Sequence, residues 1–334
     1  LETSVAKLDR ELGNEPVERA RLLNVIAETY ASLGLYDQAA EYATKGLDIR
    51  RQELGEDHLS VAESLVTLAW ARARRHDWEA AAEHFRQAFA IRLQHLEDSD
   101  PLVAEAKLGL SHALGYRGEV EEAESLCSEA IDSLASAYGE SHPEVLYAIG
   151  VRAVIFRQMG DTESAEALYR DLLEKQRQYL GPNHPEVART LNNLAYLLKT
   201  QEKYAESERY YREALDVLGH VHEQSHTHTI RVRQNLASVL YFQDKYDEVE
   251  DVLREVVELQ RELHPEGSSM IGSALITGLG RFLMDRQKYA EAEPVLREGI
   301  AIYEKTLGYT NPEPWIARAS LASCLFGLGR TAEA

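Results

Sequence analysis

The sequence predicts an all-α chain built as a solenoid of antiparallel helix hairpins, and three observations carry that prediction. A pattern centred on Tyr204 recurs at Tyr36, Trp78, Val120, Thr162, Tyr246, Tyr289 and Thr331, with a spacing of 42 residues throughout except for 43 between Tyr246 and Tyr289. A fixed period of this length marks a repeat architecture. Nine residues before each reference point the side chain is small: Ala27, Ala69, Ser111, Ala153, Ala195, Ala237, Gly280 and Ala322. Three residues after it stand Ala39, Ala81, Ala123, Ala165, Ser207, Val249, Ala292 and Ala334. Two helices approach closely only where neither is bulky at the crossing, so these columns place the contact inside each hairpin.

Larger apolar side chains at helical spacing, among them Leu68, Leu110, Leu194, Leu236, Leu279 and Leu321, complete the packing face. Two positions break the pattern. Arg152 replaces the leucine in unit four and Val249 replaces a small residue in unit six, which marks these units as the places where such an array opens first. The one extra residue between Tyr246 and Tyr289 is expected near Pro265 to Ser269, in a linker.

In chain order, residues 1–12 read as a short amphipathic helix with Val5, Leu8 and Leu12 on one side, ended by Gly13 and the Asn14-Glu15-Pro16 turn. Segment 1–16 is therefore expected to be a capping helix and turn. A single array then fills 17–334, with units at 17–58, 59–100, 101–142, 143–184, 185–226, 227–269 and 270–311 and a partial unit at 312–334. The linkers also repeat, as Gly55-Glu-Asp-His58, Asp98-Ser-Asp-Pro101, Gly139-Glu-Ser-His-Pro143, Gly181-Pro-Asn-His-Pro185 and Gly308-Tyr-Thr-Asn-Pro312. Glycine ends one helix and proline fits the first turn of the next, so linker His and Pro residues are structural. Starting at Leu1 and stopping three residues into a second helix of unit eight, the sequence reads as part of a longer chain.

Composition narrows the function classes. A chain of 334 residues with 44% apolar content is too hydrophobic to be disordered, and a repeat array escapes the size limit of a single compact core because each unit packs only on its neighbours. With 36 basic against 56 acidic residues and a net charge of -20, the surface repels nucleic acid. Even the apolar run Val145 to Phe156 is cut by Arg152, well short of the roughly 20 residues that cross a bilayer, and no signal peptide is visible. Membrane insertion is not expected, and the cytoplasm is the default compartment. Cys127 and Cys324 fall on apolar columns, where cysteine acts as a small buried hydrophobe.

The His-Pro-Glu-Val linkers at His142 and His184, the run Leu191 to Ala195, and Lys-Tyr-Ala-Glu at 203–206 and 288–291 resemble the tetratricopeptide repeat, in the 42-residue variety of kinesin light chains. This resemblance covers roughly residues 17–334. It implies a right-handed α-solenoid and a non-catalytic role in binding protein or peptide. Leu8-Asp-Arg-Glu-Leu12, Arg19 to Leu23, Leu33 to Ala39 and Ile49-Arg-Arg51 are further similar to the repeat region that follows the catalytic domain in certain bacterial serine/threonine protein kinases. That similarity implies an alternative, a regulatory or sensor region of a larger signalling enzyme.

The chain itself carries no kinase glycine-rich loop, no Val-Ala-Ile-Lys strand and no His-Arg-Asp loop. His222-Glu-Gln-Ser-His226, flanked by His220 and His228, matches the His-Glu-x-x-His pattern of zinc proteases. That chemistry needs both histidines on one face of a continuous helix, yet His226 occupies the linker slot of His142 and His184, where a helix ends. No catalytic residue, dedicated metal site or cofactor is expected; adventitious metal binding by this histidine-rich linker stays open.

In the tetratricopeptide repeat the first helix of each unit lines the concave face. The corresponding columns hold seven basic groups (Arg21, Arg74, Arg157, Arg189, Lys199, Arg231, Arg281) and four acidic ones (Glu28, Glu63, Glu105, Asp285), the reverse of the whole chain. The inversion is sharpest in units four to six, where Arg157, Arg189, Lys199 and Arg231 have no acidic partner in the groove columns. Asn193 and Asn235 share a column in adjacent units, and the resemblance implies that amides there hold a peptide backbone, since each offers a donor and an acceptor. The expected site is Arg157, Arg189, Asn192, Asn193, Tyr196, Lys199, Arg231, Asn235 and Tyr241, and the expected ligand an extended acidic peptide.

Overall fold

In the computed structural model each reference position of units one to seven is the first residue of a helix. The structure describes residues 15–220, 226–265, 267–308 and 311–334. The expected capping helix at 1–12 and the motif residues from His222 to Ser225 lie outside them. The first helices of the hairpins are α1 (Pro16–Ser32), α3 (Leu59–Arg74), α5 (Pro101–Arg117), α7 (Pro143–Met159), α9 (Pro185–Thr200) and α11 (His226–Phe242). Their partners are α2 (Tyr36–Leu54), α4 (Trp78–His95), α6 (Val120–Tyr138), α8 (Thr162–Tyr179), α10 (Tyr204–Gly219) and α12 (Tyr246–Leu263). Unit seven pairs a broken first helix, α13 (Ser269–Ser273), a π-helical stretch (Ala274–Gly280) and α14 (Arg281–Asp285), with α15 (Tyr289–Leu307). Helix α16 (Glu313–Gly327) is the first helix of unit eight, and residues 328–334 form turns rather than the start of a second helix. Among the described residues there is no strand, and the chain is an α-solenoid of repeated helix pairs.

The size columns behave as packing demands. From Ala27 to Gly280 and from Ala39 to Ala292 every member is buried, and in unit five the Ser207 hydroxyl donates to the Ala195 carbonyl at 2.6 Å, joining the two columns directly. The columns open only at the end, where Ala322 is half-buried and Ala334 exposed. By contact density the chain forms two compact units, one up to Glu186 and one from Val187. In the first, one apolar core runs from Leu23 to Ile155. In the second, a core around Ile230, Val256, Val257, Ile271 and Leu275 ties unit six to unit seven. Cys127 and Cys324 are both free and buried as expected, and burial pushes the Cys127 thiol up to about 12.

Three periodic devices hold the units together. The linker histidines cap helices: Nδ1 of His58, His142 and His184 accepts the backbone N–H of Ser60, Glu144 and Glu186 at 3.1, 3.3 and 3.2 Å. Asp100 and Asn311 fill the same slot at 2.8 and 3.0 Å. Each satisfies a backbone donor that the helix leaves unpaired.

The second device is the turn inside each hairpin. Two residues before every reference point φ is positive, at Gly34, Gly118, Gly160 and Gly329 but also at His76, Glu202, Asp244 and Gln287. A left-handed residue costs a non-glycine side chain about 1 kcal/mol, so four units accept strain that the other four avoid.

The third is an ion-pair ladder along the second helices of the second compact unit. Four residues after the reference point, Glu208, Glu250 and Glu293 each bind the arginine one turn later (Arg212, Arg254 and Arg297, at 2.9, 2.6 and 2.9 Å). Each also binds the cation before the next reference point (Lys245, Lys288 and Arg330, at 2.7, 2.7 and 2.6 Å). Burial alone would push the Glu208 carboxyl up, but hydrogen bonds from Lys245, Gln243 and Arg212 outweigh it and hold it below the usual range; Lys288 and Arg254 do the same for Glu250. Part of the acidic excess is thus consumed between second helices, away from the groove columns.

One expectation changes. The inserted residue is not in the linker, because helix ends before and starts after the 265–269 segment keep the spacing of other units: Tyr246 to Ser269 spans 23 residues, as does Tyr204's counterpart Thr162 to Pro185. It lies in the first helix of unit seven, where Ser269 to Tyr289 spans 20 residues against 19 from Pro185 to Tyr204, and the π-helical stretch absorbs it. Arg152, which breaks the leucine column, stays half-buried and gives Nε and a terminal guanidinium nitrogen to Glu124, at 3.1 and 2.6 Å.

Candidate functional site

All nine expected site residues stand on first helices, Arg157 on α7 in the first compact unit and the other eight on α9 and α11 in the second. The site described here is built from the second unit alone. Asn235 Nδ2 donates to Asn192 Oδ1 at 3.1 Å, and Asn192 Nδ2 donates to Asn193 Oδ1 at 3.3 Å. The three amides therefore form one hydrogen-bonded chain from α11 to α9. Asn192 is 8% exposed, which makes it the bridge that orients the two half-buried amides on either side. The same column carries a comparable bridge in the first unit, where buried Asn24 exchanges hydrogen bonds with Ser64 at 3.0 and 3.2 Å.

About two turns further along α9, Lys199 is half-buried, its Nζ 3.1 Å from Ser238 Oγ on α11 and 5.5 Å from the Tyr196 ring centroid. No carboxylate comes within ion-pair distance of it among the described residues, and burial alone holds its ammonium below the usual lysine range. A desolvated cation with no counter-ion is an unbalanced charge, and an anionic group arriving there would restore the balance. Arg157, Arg189 and Arg231 differ from it in that each is engaged within the chain. Tyr196 and Tyr241 present rings that are 38% and 40% exposed, and Tyr241 meets Tyr246 edge-on at 5.6 Å.

Sequence columns alone missed a cavity of about 430 Å³ between α11, α12 and the π-helical stretch. Its walls include Ala237, Val249, Leu253, Val256 and Phe282, with Ser238, Tyr241 and Arg281 at its edge. The broken 43-residue spacing was the available signal. In the first unit the groove columns bring together Trp70, Glu105 and Tyr147 around a cavity of about 560 Å³, and buried Arg92 neutralises Glu105 at 2.9 Å.

His220, from the zinc-protease-like motif, closes α10 with Nδ1 2.8 Å from the Asp216 carbonyl. Among the described residues no group of three or more His, Cys, Asp or Glu side chains could hold a metal ion, and no helix is long and apolar enough to cross a membrane.

Comparison with known proteins supports the fold reading. The tetratricopeptide repeat family profile matches residues 18–94, 102–178, 152–219 and 200–262, and a second profile of the same description matches 274–313. No curated protein matches the chain. Among solved structures, BtubC (BKLC) from P. vanneervenii is 20% identical, with 70% of this chain and 91% of that one covered and a TM-score of 0.52. The structure of "Podosopora anserina putative kinesin light chain nearly identical TPR-like repeats" is 22% identical over 61% of this chain and 96% of its own, with a TM-score of 0.48. A Rap protein in complex with competence and sporulation factor is 14% identical over 98% and 97%, with a TM-score of 0.54. None of these is a protein kinase, and the similarity of the opening segment to kinase-borne repeats rests on its sequence alone.

Proposed function

The chain belongs to the tetratricopeptide repeat family, and from that premise we propose that it is a non-catalytic scaffold whose second compact unit holds an extended acidic segment of a partner protein along α9 and α11. The observation that carries this reading is Lys199, a half-buried ammonium with a serine hydroxyl and an aromatic ring for company and no carboxylate. Beside it the Asn235–Asn192–Asn193 chain holds amides at a fixed spacing on neighbouring helices, which suits main-chain recognition. The exposed faces of Tyr196 and Tyr241 supply the rigid aromatic surface that binding hot spots favour. A fold neighbour, the Rap protein solved with competence and sporulation factor, lends general support to ligand binding by such an array.

The experiment is a stopped-flow titration of the chain with a labelled glutamate-rich peptide. Arg189→Glu or Arg231→Glu slows association and flattens its salt dependence, because the charges of half-buried Arg189 and exposed Arg231 act largely through long-range attraction. Asn193→Ala combined with Asn235→Ala instead speeds dissociation, by about 1–3 kcal/mol for each buried bond to the peptide main chain that is lost. Unchanged rates in every variant would refute the assignment and direct the search to the second-helix faces.

A further inference from the structure

The ladder of amides ends at unit seven for a definable reason. Gly278 occupies there the column that Asn193 and Asn235 hold in units five and six, and it lies within the π-helical stretch that absorbs the inserted residue. A side chain is missing where the two preceding units have one, and the cavity of about 430 Å³ begins at that gap. Its volume falls in the range of roughly 300–1,000 Å³ typical of ligand sites. Its interior is apolar: Val249 and Val256 are 2% exposed, Phe282 5%. The hydroxyl of Thr277 is already bonded to the Ser273 carbonyl at 2.8 Å, so it does not make the wall more polar. π-helical turns are rare, and they recur at functional sites because they distort a helix locally at some cost in stability.

The edge of the cavity gives the occupant its charge. Ser238 lines the cavity and also holds Lys199 at 3.1 Å, so the unbalanced ammonium lies one hydrogen bond from the opening. Arg281, exposed and with no carboxylate at ion-pair distance among the described residues, stands at the rim, with Asp285 the one acid lining it. Two cations against one carboxylate around an apolar interior match a bulky hydrophobic side chain flanked by acidic residues. Resting on the acidic-peptide reading above, we propose that this cavity takes a leucine- to phenylalanine-sized side chain of the bound peptide, and that the inserted residue, by opening the π turn at Gly278, is what gives unit seven this specificity.

The test uses short peptides of alternating glutamate and serine with one central residue X, where X is Ala, Ser, Lys, Leu or Phe, and a serine-only set with the same X, titrated by fluorescence anisotropy. Gly278→Leu directs a side chain into the cavity from a position where the Cβ itself is accommodated, its nearest neighbour being Leu253 Cδ2 at an ordinary 3.8 Å. Gly278→Ala is the graded control, and melting of both variants is followed alongside. In the unaltered chain, Leu or Phe at X binds about 10- to 100-fold tighter than Ala, the advantage of burying such a side chain. Gly278→Leu removes that advantage while leaving the glutamate–alanine peptide and the melting temperature unchanged, and Gly278→Ala falls between. Glutamate peptides that bind with no dependence on X overturn the cavity assignment and leave the acidic-peptide reading standing. Serine peptides that show the full X dependence with no gain from glutamate support the cavity and overturn the acidic reading, and no binding by either set overturns both.

Discussion

Asn192→Ala should weaken the second unit by more than its own contacts with a ligand could explain, since it has almost no surface to offer one. Its side chain is 8% exposed, accepts from Asn235 at 3.1 Å and donates to Asn193 at 3.3 Å. Truncation removes both bonds and strands a donor on α11 and an acceptor on α9. At about 0.5–1.5 kcal/mol net for each hydrogen bond, the loss is about 1–3 kcal/mol. A global melt is a poor readout, because a repeat array need not unfold in one step; native-state amide exchange of α9 and α11 reports the local opening free energy. In a double-mutant cycle with Asn235→Ala, the second substitution removes a bond already lost, so the pair is less costly than the sum by about 0.5–1.5 kcal/mol. The glutamate-rich peptide should dissociate faster from Asn192→Ala as well. Additive effects on exchange, within about 0.3 kcal/mol, would show that the three amides do not act as one chain and would remove the reason for calling Asn192 the bridge.

Other outcomes follow from the periodic devices. Glu208 and Glu250 have folded-state values below the ordinary glutamate range, so the stability they contribute is complete above about pH 4.3 and is lost as pH falls through their depressed values. Amide protection of α10 and α12 should decline in that acid window, and Glu250→Gln should abolish its share of the pH dependence. Burial holds Lys199 below the usual lysine range, so glutamate-peptide affinity should decline with rising pH earlier than an ordinary lysine would dictate, and Lys199→Arg should move that decline to higher pH. His142→Ala should loosen the first turn of α7 by about 1 kcal/mol through the lost cap, whereas His142→Asp should preserve it, as Asp100 does at the equivalent slot of α5; equal exchange rates for the two variants would remove the capping role.

Side-chain size at fixed spacing carried most of the fold. Small residues from Ala27 to Gly280 mark helix crossings whatever the intervening sequence, and every reference residue from Tyr36 to Tyr289 duly begins a helix. A one-residue insertion, by contrast, changes the spacing identically whether it sits in a linker or a helix, so nothing in the sequence separated the 265–269 segment from the π turn at 274–280. The left-handed turn column was hidden because His76, Glu202, Asp244 and Gln287 share it with glycines, and no residue type announces the conformation. The ion-pair ladder was legible in principle, since its glutamates and cations recur with the repeat. At the candidate site, the sequence marked the helix faces but not their internal pairings. Asn192 and Asn193 are adjacent and alike in type, and only the approach of Asn235 distinguishes bridge from presented amide. Likewise Lys199 and Arg231 are both cations of the groove columns, and only folding leaves the first without a counter-ion while engaging the second.

The central claim, that an acidic segment lies along α9 and α11, is tested most directly by photo-crosslinking. A benzophenone side chain placed at Tyr196 or Tyr241, both exposed on first helices, is compared with one at Asp251, exposed on the second helix α12. With the glutamate-rich peptide present, Tyr196 and Tyr241 should form adducts that rising salt suppresses, and Asp251 should form none. Adducts at Asp251 with none at Tyr196 and Tyr241 would contradict the account.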